Sequence, residues 1–187
     1  MNHWQLARTA RVIHGGGIIA YPTEAVFGLG CDPLNPEAVH NLLAIKQRPV
    51  DKGLILIAAD ISQLTPFITP LTAEAKAQLA KTWPGPHTWL LPAHANTPRW
   101  IRGQHNTIAV RVTAHPIAAA LCRTAGHALI STSANPAGKA PAISALRVRH
   151  YFPTVLDNIL HGALGTETGP TPIRDLMTQK LVRPASA

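Results

Sequence analysis

The chain has 187 residues, 46% apolar and 14% charged, a balance that suits a globular domain with its own core and excludes a disordered chain. Seventeen lysines and arginines against nine acidic residues give a formal charge of +8, which favours anionic partners such as nucleotides, phosphates or RNA. Cys31 and Cys122 lie far apart and no apolar run approaches the roughly 20 residues that span a bilayer, so we expect a cytoplasmic protein without disulfides or membrane segments.

Strand-like and helix-like stretches alternate along the whole chain, which is typical of an α/β domain. Capping residues mark several helix ends, among them Asn35 before the second helix and the three glycines at 15–17 after the first. The spacing of apolar residues predicts helices over 3–14, 36–46, 72–82, 115–125 and 142–151. It predicts strands over 17–21, 54–59, 87–91, 107–112 and 128–132, then shorter ones over 155–160, 172–177 and 181–183 around a loop at 162–169. We therefore predict one domain over residues 1–187, a twisted mixed sheet with flanking helices.

The first polar motif, Tyr-Pro-Thr-Glu at 21–24, follows the first predicted strand. It places the hydroxyl of Thr23 and the carboxylate of Glu24 at a strand end, where α/β sheets bind ligands. Turn formation alone also explains the proline and the threonine. The motif is thus compatible with a turn and with a binding site.

Three cations lie close together around the end of the second predicted helix. Lys46 and Arg48 stand where this helix gives way to Pro49, and cations there complement the helix dipole by about 0.3 to 1 kcal/mol. Lys52 adds a third positive charge just before the next strand. Cations this close repel each other unless an anion such as a triphosphate neutralises them, so a helix-end role and an anion site are both open.

An arginine interrupts the apolar strand predicted over 107–112. Alternation puts Val110 and Val112 on one face of this strand and Arg111 on the other. The planar guanidinium suits a carboxylate or phosphate bound through two hydrogen bonds. The alternative is a side chain that reaches solvent from a half-exposed face.

The run Ser-Thr-Ser-Ala-Asn at 131–135 directly follows an apolar segment. In a strand, Ser131, Ser133 and Asn135 would project two hydroxyls and an amide to one side. That side lies at the edge where α/β sheets bind ligands. The other interpretation is a Ser/Asn-rich turn, because these residues bond their own backbone and a proline follows at 136.

Several familiar catalytic and nucleotide signatures are missing from the sequence. The glycines at 28 and 30 lack the third glycine of a dinucleotide site, and no G-x-x-x-x-G-K-[ST] loop occurs. No G-x-S-x-G elbow surrounds Ser131 or Ser133, and the ten histidines show no ligand spacing. We expect no Walker-type ATPase, no serine hydrolase and no dedicated metal site.

Taken in order, these motifs resemble the YrdC family, the bacterial threonylcarbamoyl-AMP synthases also called TsaC. The segments Trp-Pro-Gly-Pro at 83–86 and Val-Arg-Val at 110–112 also resemble the family's pattern. It covers residues 17–183, and the length resembles the short, single-domain form. The family's activity joins L-threonine, bicarbonate or CO2, and ATP into L-threonylcarbamoyl-AMP and pyrophosphate, for the t6A modification at position 37 of tRNA. The resemblance also implies an α/β sheet twisted around a basic concave face.

The resemblance also implies which residues bind the substrates, because the family's binding residues match individual positions of this sequence. Threonine would be held by Thr23, Arg111 and Ser131. ATP would be held by Lys46, Arg48, Lys52, Ser133, Asn135, Thr171 and Arg183. The catalytic groups would be the cations Lys46, Arg48 and Arg111, and Mg2+ would arrive with ATP because it prefers phosphates and water to protein ligands. The implied partners are these substrates, the proteins of the downstream t6A transferase complex, and tRNA as a further candidate.

The sequence departs from the family's pattern at a few positions without removing a proposed contact. Ala25 stands where a second threonine is frequent, Thr113 where proline is common, and Thr171 where serine is usual. After Arg183 the chain ends in Pro-Ala-Ser-Ala rather than a glycine-containing tail.

Two other functions are compatible with parts of the sequence. An RNA-binding module could hold tRNA or double-stranded RNA on a basic concave face, although only 5% of the residues are aromatic and base stacking is therefore poorly supported. A carbamoyl-adenylate relative, as in hydrogenase-maturation proteins, would normally carry acylphosphatase and zinc-finger-like segments, which this sequence lacks.

Overall fold

Six α-helices and nine β-strands are formed along residues 2–184, the part of the chain that the computed structural model describes. The helices are α1 (His3–His14), α2 (Pro36–Ile45), α3 (Ala73–Ala80), α4 (Arg99–Arg102), α5 (Pro116–Ala125) and α6 (Ala145–Tyr151). The strands are β1 (Ile19–Pro22), β2 (Phe27–Gly30), β3 (Ile55–Ala58), β4 (Thr88–Pro92), β5 (Thr107–Val112), β6 (Leu129–Ser133), β7 (Asn158–Ile159), β8 (Ile173–Asp175) and β9 (Leu181–Arg183). The departure noted in the C-terminal tail lies mostly outside the described residues.

Side-chain caps set the starts of the main helices. Asn35 accepts a hydrogen bond from the Ala38 amide to begin α2, and Thr72 begins α3 in the same way. The α5 helix ends at Gly126, whose φ of 81° is left-handed backbone that favours glycine. These boundaries confirm the predicted helices within a few residues.

Some predicted boundaries are wrong, and the differences have local causes. The α6 helix begins at Ala145 rather than 142, because Ser144 caps it through the Arg147 amide. The α3 helix stops at Ala80, two residues early, because the chain then turns toward the Trp-Pro-Gly-Pro segment. Strand β7 has only two residues, 158 and 159, instead of six, because it pairs only with the start of β1.

Strand β2 was missed by the sequence analysis, where its Phe-Gly-Leu-Gly run carries two residues that weaken strands. The structure explains both glycines. A Cβ on Gly28 would lie 3.3 Å from the Tyr21 ring and from the Thr23 methyl group, and a Cβ on Gly30 would lie 2.5 Å from the Ile130 carbonyl oxygen. Gly30 therefore leaves no room for a side chain between β2 and β6, whereas a side chain at Gly28 would require Tyr21 or Thr23 to shift slightly.

The strands form one mixed sheet in the order β7-β1-β2-β6-β3-β5-β4-β8-β9. This confirms the predicted α/β class and the mixed sheet. Strand β6 joins the two halves: Leu129 and Ser131 pair with β3, and Thr132 and Ser133 pair with β2. Parallel pairs link β3 to β5 and β4 to β8, and the other central pairs are antiparallel.

Helices cover both faces of the sheet, and each face has its own apolar cluster. On one face α1 and α5 pack over Ile19, Tyr21, Ile57 and Leu129. On the other, α2, α3 and α6 contribute to a larger cluster that includes Leu56, Val110 and Ile130. No helix among residues 2–184 combines the length and the apolar character needed to span a bilayer.

On the sheet face that α1 and α5 cover, polar residues lie beyond the end of the apolar cluster. Ile57 is paired with Arg111, and Ser131 is paired with Ile55, two residues further along β3. Because side chains alternate between faces, Arg111, Ser131 and Ser133 project to the same face as Ile57 and Leu129. The register therefore brings polar groups from β5 and β6 together.

Candidate active site

A cavity of about 260 Å3 opens on this face of the sheet. Its walls come from β2, β3, β5, β6, the turn after β1 and the segment before β8. Seven of the residues predicted for the site line it: Thr23, Arg48, Arg111, Ser131, Ser133, Thr171 and Arg183. The fold thus gathers residues from six separate stretches of the sequence.

Arg111 is buried at this cavity with a carboxylate beside it, so the solvent-exposed alternative does not apply. The side chain is 7% exposed. One terminal nitrogen donates to the Thr171 hydroxyl at 3.0 Å, and the other lies 3.4 Å from Glu24 Oε2. Arg111 is therefore held in place from two sides.

Thr171 and Arg183 form the neighbouring wall. The Thr171 hydroxyl lies 3.1 Å from the Thr88 hydroxyl. The backbone carbonyl of Thr171 accepts a hydrogen bond from Arg183 Nη2 at 2.9 Å. Burial, and then the positive charges of Arg111 and Arg48, lower the pKa of Arg183. The guanidinium groups of Arg48, Arg111 and Arg183 therefore repel one another, and a bound anion would stabilise this arrangement.

Arg48 lies just after α2 and lines the same cavity. Its Nε and Nη2 both donate to the Gly53 carbonyl, at 3.2 and 2.8 Å. Gly53 has a φ of 63°, left-handed backbone that favours glycine, and a Cβ there would lie 3.0 Å from the Arg102 carbonyl oxygen. The glycine thus orients the carbonyl that positions Arg48, and burial lowers the pKa of this arginine.

Lys46 lies behind the cavity wall rather than in it. Its ammonium donates to the carbonyls of Ser133 and Asn135, at 2.7 and 2.5 Å, and to Asn135 Oδ1 at 3.0 Å. All three of its hydrogen bonds therefore go to the last residue of β6 and to the loop that follows it. Burial, and then the charge of Arg48, lower the pKa of Lys46 to about 8.

Asn135 tightens this loop from its own side. Its Oδ1 accepts from the Ser133 hydroxyl at 2.6 Å, and its Nδ2 donates to the carbonyls of Pro136 and Lys139. The segment is therefore a turn and a cavity wall at once, because Ser131 and Ser133 line the cavity while Asn135 binds Lys46. Within residues 2–184, Lys46 and Asn135 are not part of the cavity lining.

The turn after β1 supplies Thr23, which is buried. Its hydroxyl donates to the Val26 carbonyl at 2.7 Å, so the turn interpretation of this motif is also realised. The oxygen of that hydroxyl keeps its acceptor capacity. Ser131 is 7% exposed and stands across the same cavity, on β6.

A second cavity of about 240 Å3 adjoins the first, and Arg48 and Arg183 line both. Apolar residues such as Ile55, Leu90 and Ile173 also line it. Lys52 is among the residues that line the second cavity and not among those that line the first.

Glu24 is a site residue that the sequence-based assignment left out, and the Thr113 side chain contacts it. The Thr113 hydroxyl donates to Glu24 Oε1 at 2.5 Å. Glu24 is part of the Tyr-Pro-Thr-Glu motif, but Arg111, with which it pairs, lies on a strand that is distant in sequence. Only the register of the sheet shows that the two charges meet.

The described residues offer neither a thiolate nor a metal cage at this site. Burial raises the pKa of both Cys31 and Cys122 to about 12, so these thiols are neutral at physiological pH. No group of three or more His, Cys, Asp or Glu side chains among residues 2–184 is arranged to hold a metal ion. The arrangement can bind and orient anions and polar groups through cations and hydroxyls.

Comparison with protein families gives a match over almost the whole chain. The model of the Sua5, YciO and YrdC proteins, described as "telomere recombination", matches residues 11–185. A threonylcarbamoyl-AMP synthase from Nitrosococcus oceani is 55% identical over 97% of this chain and 98% of its own length. A threonylcarbamoyl-AMP synthase from Pseudomonas aeruginosa is 55% identical over 94% of this chain and 95% of its own.

Solved structures of the same group superpose closely on this fold. P. abyssi Sua5 complexed with L-threonine is 33% identical, with a TM-score of 0.92 over 99% of this chain and 55% of that longer one. E. coli YciO is 27% identical, with a TM-score of 0.85 over 100% of this chain and 91% of its own.

Proposed function

The chain belongs to the Sua5/YciO/YrdC family, and we propose that it is a threonylcarbamoyl-AMP synthase. This enzyme joins L-threonine, bicarbonate or CO2, and ATP into L-threonylcarbamoyl-AMP and pyrophosphate, for the t6A modification at position 37 of tRNA. The observation that carries the proposal is one cavity lined by three guanidinium groups, of Arg48, Arg111 and Arg183, and by the hydroxyls of Thr23 and Ser131. The names of its relatives support this enzyme rather than an RNA-binding module.

Threonine would lie at the Arg111 end of the cavity. The guanidinium binds the carboxylate, while Thr23 and Ser131 meet the other polar groups, including the substrate hydroxyl. A site built around a hydroxyl rejects an analogue that lacks it by a large factor, because its own polar groups are then left unpaired. This arrangement separates threonine from valine.

ATP would extend across Arg48 and Arg183 into the second cavity. Each cavity alone is smaller than the roughly 300 Å3 at which pockets for drug-sized ligands begin, whereas the two together hold about 500 Å3, from 260 and 240 Å3. Ser133 and Thr171 border the first part and Lys52 the second. The crowded cations are neutralised by the triphosphate.

Lys46 and Asn135 contribute to ATP binding through the loop that they hold. The Lys46 ammonium orients the Ser133 and Asn135 carbonyls, which sets the position of the Ser133 hydroxyl at the cavity. In this arrangement Lys46 positions the site, and its predicted direct contact with ATP would require it to release one of these carbonyls.

Mg2+ would enter with the nucleotide. Glu24 is the one acidic side chain among the described residues that line the cavity, and it is paired with Arg111. The donor set therefore suits a metal held by phosphate oxygens and water. When bound, Mg2+ supplies further positive charge to the phosphates.

Catalysis would rest on positioning and charge stabilisation. The neutral amine of threonine attacks CO2 and forms an N–C bond, and the nitrogen then loses a proton to solvent, which leaves a carbamate. A carbamate oxygen then attacks the α-phosphorus of ATP, the bond to the β-phosphate oxygen breaks, and pyrophosphate leaves. Neither step needs a covalent enzyme intermediate, so cations that hold the reactants and stabilise phosphate charge are sufficient.

The adenylate would pass to the proteins of the downstream t6A transferase complex, with tRNA as a further candidate partner. A cytoplasmic location suits this role. The two unpaired, buried cysteines are compatible with a reducing compartment.

The proposal is tested by pyrophosphate release from ATP. We expect release by the purified protein to require both L-threonine and bicarbonate, and L-valine to support it at least about 100-fold less well. Equal release with and without threonine and bicarbonate would show that the proposed function is wrong.

A variant locates the activity at the cavity. Arg48→Ala removes a cation that lines both cavities, and we expect kcat/KM for ATP to fall at least about tenfold. Arg123→Ala, the same change on the exposed end of α5, is the control and should keep full activity. Full activity in Arg48→Ala would contradict the placement of ATP.

A further inference from the structure

Glu24 and Arg111 form an ion pair at the wall of the first cavity, and the pair is incompletely satisfied. Each residue is 6% exposed. Glu24 Oε2 and Arg111 Nε have no hydrogen-bond partner among the described residues, and the approach of Oε2 to the other guanidinium nitrogen is 3.4 Å. One buried acceptor and one buried donor are thus left over at the same wall. Such groups are costly unless a ligand pairs with them.

The other carboxylate oxygen of Glu24 is already used. Oε1 accepts from the Thr113 hydroxyl, whose own oxygen accepts from the His115 amide at 3.1 Å. This chain of bonds holds the Glu24 carboxylate in one orientation. Oε2 is therefore the oxygen that is available for a ligand.

Charge balance identifies the kind of ligand. If only a substrate carboxylate approached Arg111, it would share one guanidinium with Glu24, and two carboxylates this close repel each other. A positive group beside Glu24 removes that repulsion. An α-amino acid carries an ammonium next to its carboxylate, so a zwitterion matches the pair at both ends.

We propose that Glu24 binds the ammonium group of the amino-acid substrate through Oε2, while Arg111 binds its carboxylate. This inference rests on the proposed function, because it assigns a further contact to the same threonine. Glu24 then determines specificity for the amino acid over the same hydroxy acid without its amino group.

The test compares two ligands by isothermal titration calorimetry. L-Threonine and the matching enantiomer of 3-hydroxybutyrate share the carboxylate, hydroxyl and methyl group, and the second lacks the ammonium. We expect wild-type protein to bind threonine about 10- to 100-fold more tightly, the range of a charge-assisted hydrogen bond. In Glu24→Gln that ratio of Kd values should fall to within about threefold of one.

A merely structural role for Glu24 would change both affinities alike and leave the ratio intact. Glu167→Gln removes the same charge from an exposed side chain on a loop whose backbone contacts Glu24, and it should keep the wild-type ratio. An unchanged ratio in folded Glu24→Gln would overturn the inference. So would equal binding of both ligands by wild-type protein, a result that needs no variant.

The two possible failures are distinguishable. If wild-type protein binds no threonine and releases no threonine-dependent pyrophosphate, the proposed function fails. If it does both but discriminates the two ligands without Glu24, only the ammonium contact fails.

Discussion

At the scale of single residues, the site depends on side chains that hold other side chains. Lys46 binds the loop after β6, Gly53 orients the carbonyl that holds Arg48, and Thr171 fixes Arg111 from the side opposite Glu24. Each of these contacts places a group that lines a cavity. Removal of a supporting contact should therefore change activity even where the supporting residue touches no substrate.

The lowered pKa of Lys46 gives a pH dependence. With a pKa of about 8, Lys46 keeps its proton below that pH and loses it above, and a neutral amine has one donor fewer for its three acceptors. We expect the contribution of Lys46 to threonine-dependent pyrophosphate release at saturating substrate to decline as the pH rises through about 8.

Lys46→Arg is the matched variant for this decline. A guanidinium keeps its charge throughout this range, so the ratio of variant to wild-type activity should rise between about pH 7.5 and 9.5. A ratio that stays constant across this range would show that the Lys46 proton does not control the decline.

At the scale of elements, α2 and β6 together build the phosphate side of the site. Asn35 starts α2, and the helix delivers Lys46 to the carbonyls that follow β6. Strand β6 pairs with β3 through its first half and with β2 through its second, which sets Ser131 and Ser133 at the cavity. The position of the end of β6 and of the loop that follows it therefore depends on a helix far from them in sequence.

The cap of α2 should affect stability rather than substrate binding. Asn35→Ala removes the hydrogen bond to the Ala38 amide, and we expect the free energy of unfolding to fall by about 1 kcal/mol. Urea denaturation measures this change. The KM for threonine should stay the same, because Asn35 lies at the opposite end of the helix from Lys46.

Asn106→Ala, in an exposed loop, is the control for this change. It should alter the unfolding free energy by less than about 0.5 kcal/mol. Equal effects of the two substitutions would contradict the importance of the cap.

At the scale of the whole molecule, the +8 charge is compatible with an enzyme that binds ATP and with a protein that binds RNA. The two kinds of protein differ in whether the cations that bind the ligand are exposed to solvent or buried. RNA would meet solvated cations spread over a surface, whereas the guanidinium groups of Arg111 and Arg183 are buried or half-buried beside a small cavity. Buried charges are screened less by salt.

Salt therefore separates the two functions. Between 50 and 200 mM salt, an RNA complex with about 6 to 10 phosphate contacts would lose about 1,000-fold or more in affinity. We expect threonine-dependent pyrophosphate release at saturating ATP to change by less than about threefold. A fall in turnover as steep as that of an RNA complex would favour a function on the protein's surface.

The sequence by itself determined the features that depend on near neighbours. Apolar spacing and caps such as Asn35 and Gly126 located the helices, because a helix end is satisfied within a few residues. Alternation put Arg111 on the face opposite Val110, and the motifs at 21–24 and 131–135 located five of the residues that line the cavity, among them Thr23, Glu24 and Ser131. The Phe-Gly-Leu-Gly strand escaped prediction, because its second glycine is required by a contact with another strand.

Only the tertiary structure decided which groups meet. It put Glu24 beside Arg111, turned the Lys46 ammonium toward the carbonyls of Ser133 and Asn135, and placed Lys52 in the second cavity. These contacts join residues that are distant in sequence, so they follow from strand register and helix packing rather than from local propensity. The sequence supplied the charged and hydroxyl groups, and the register of the sheet determined which of them bind a ligand and which hold the site together.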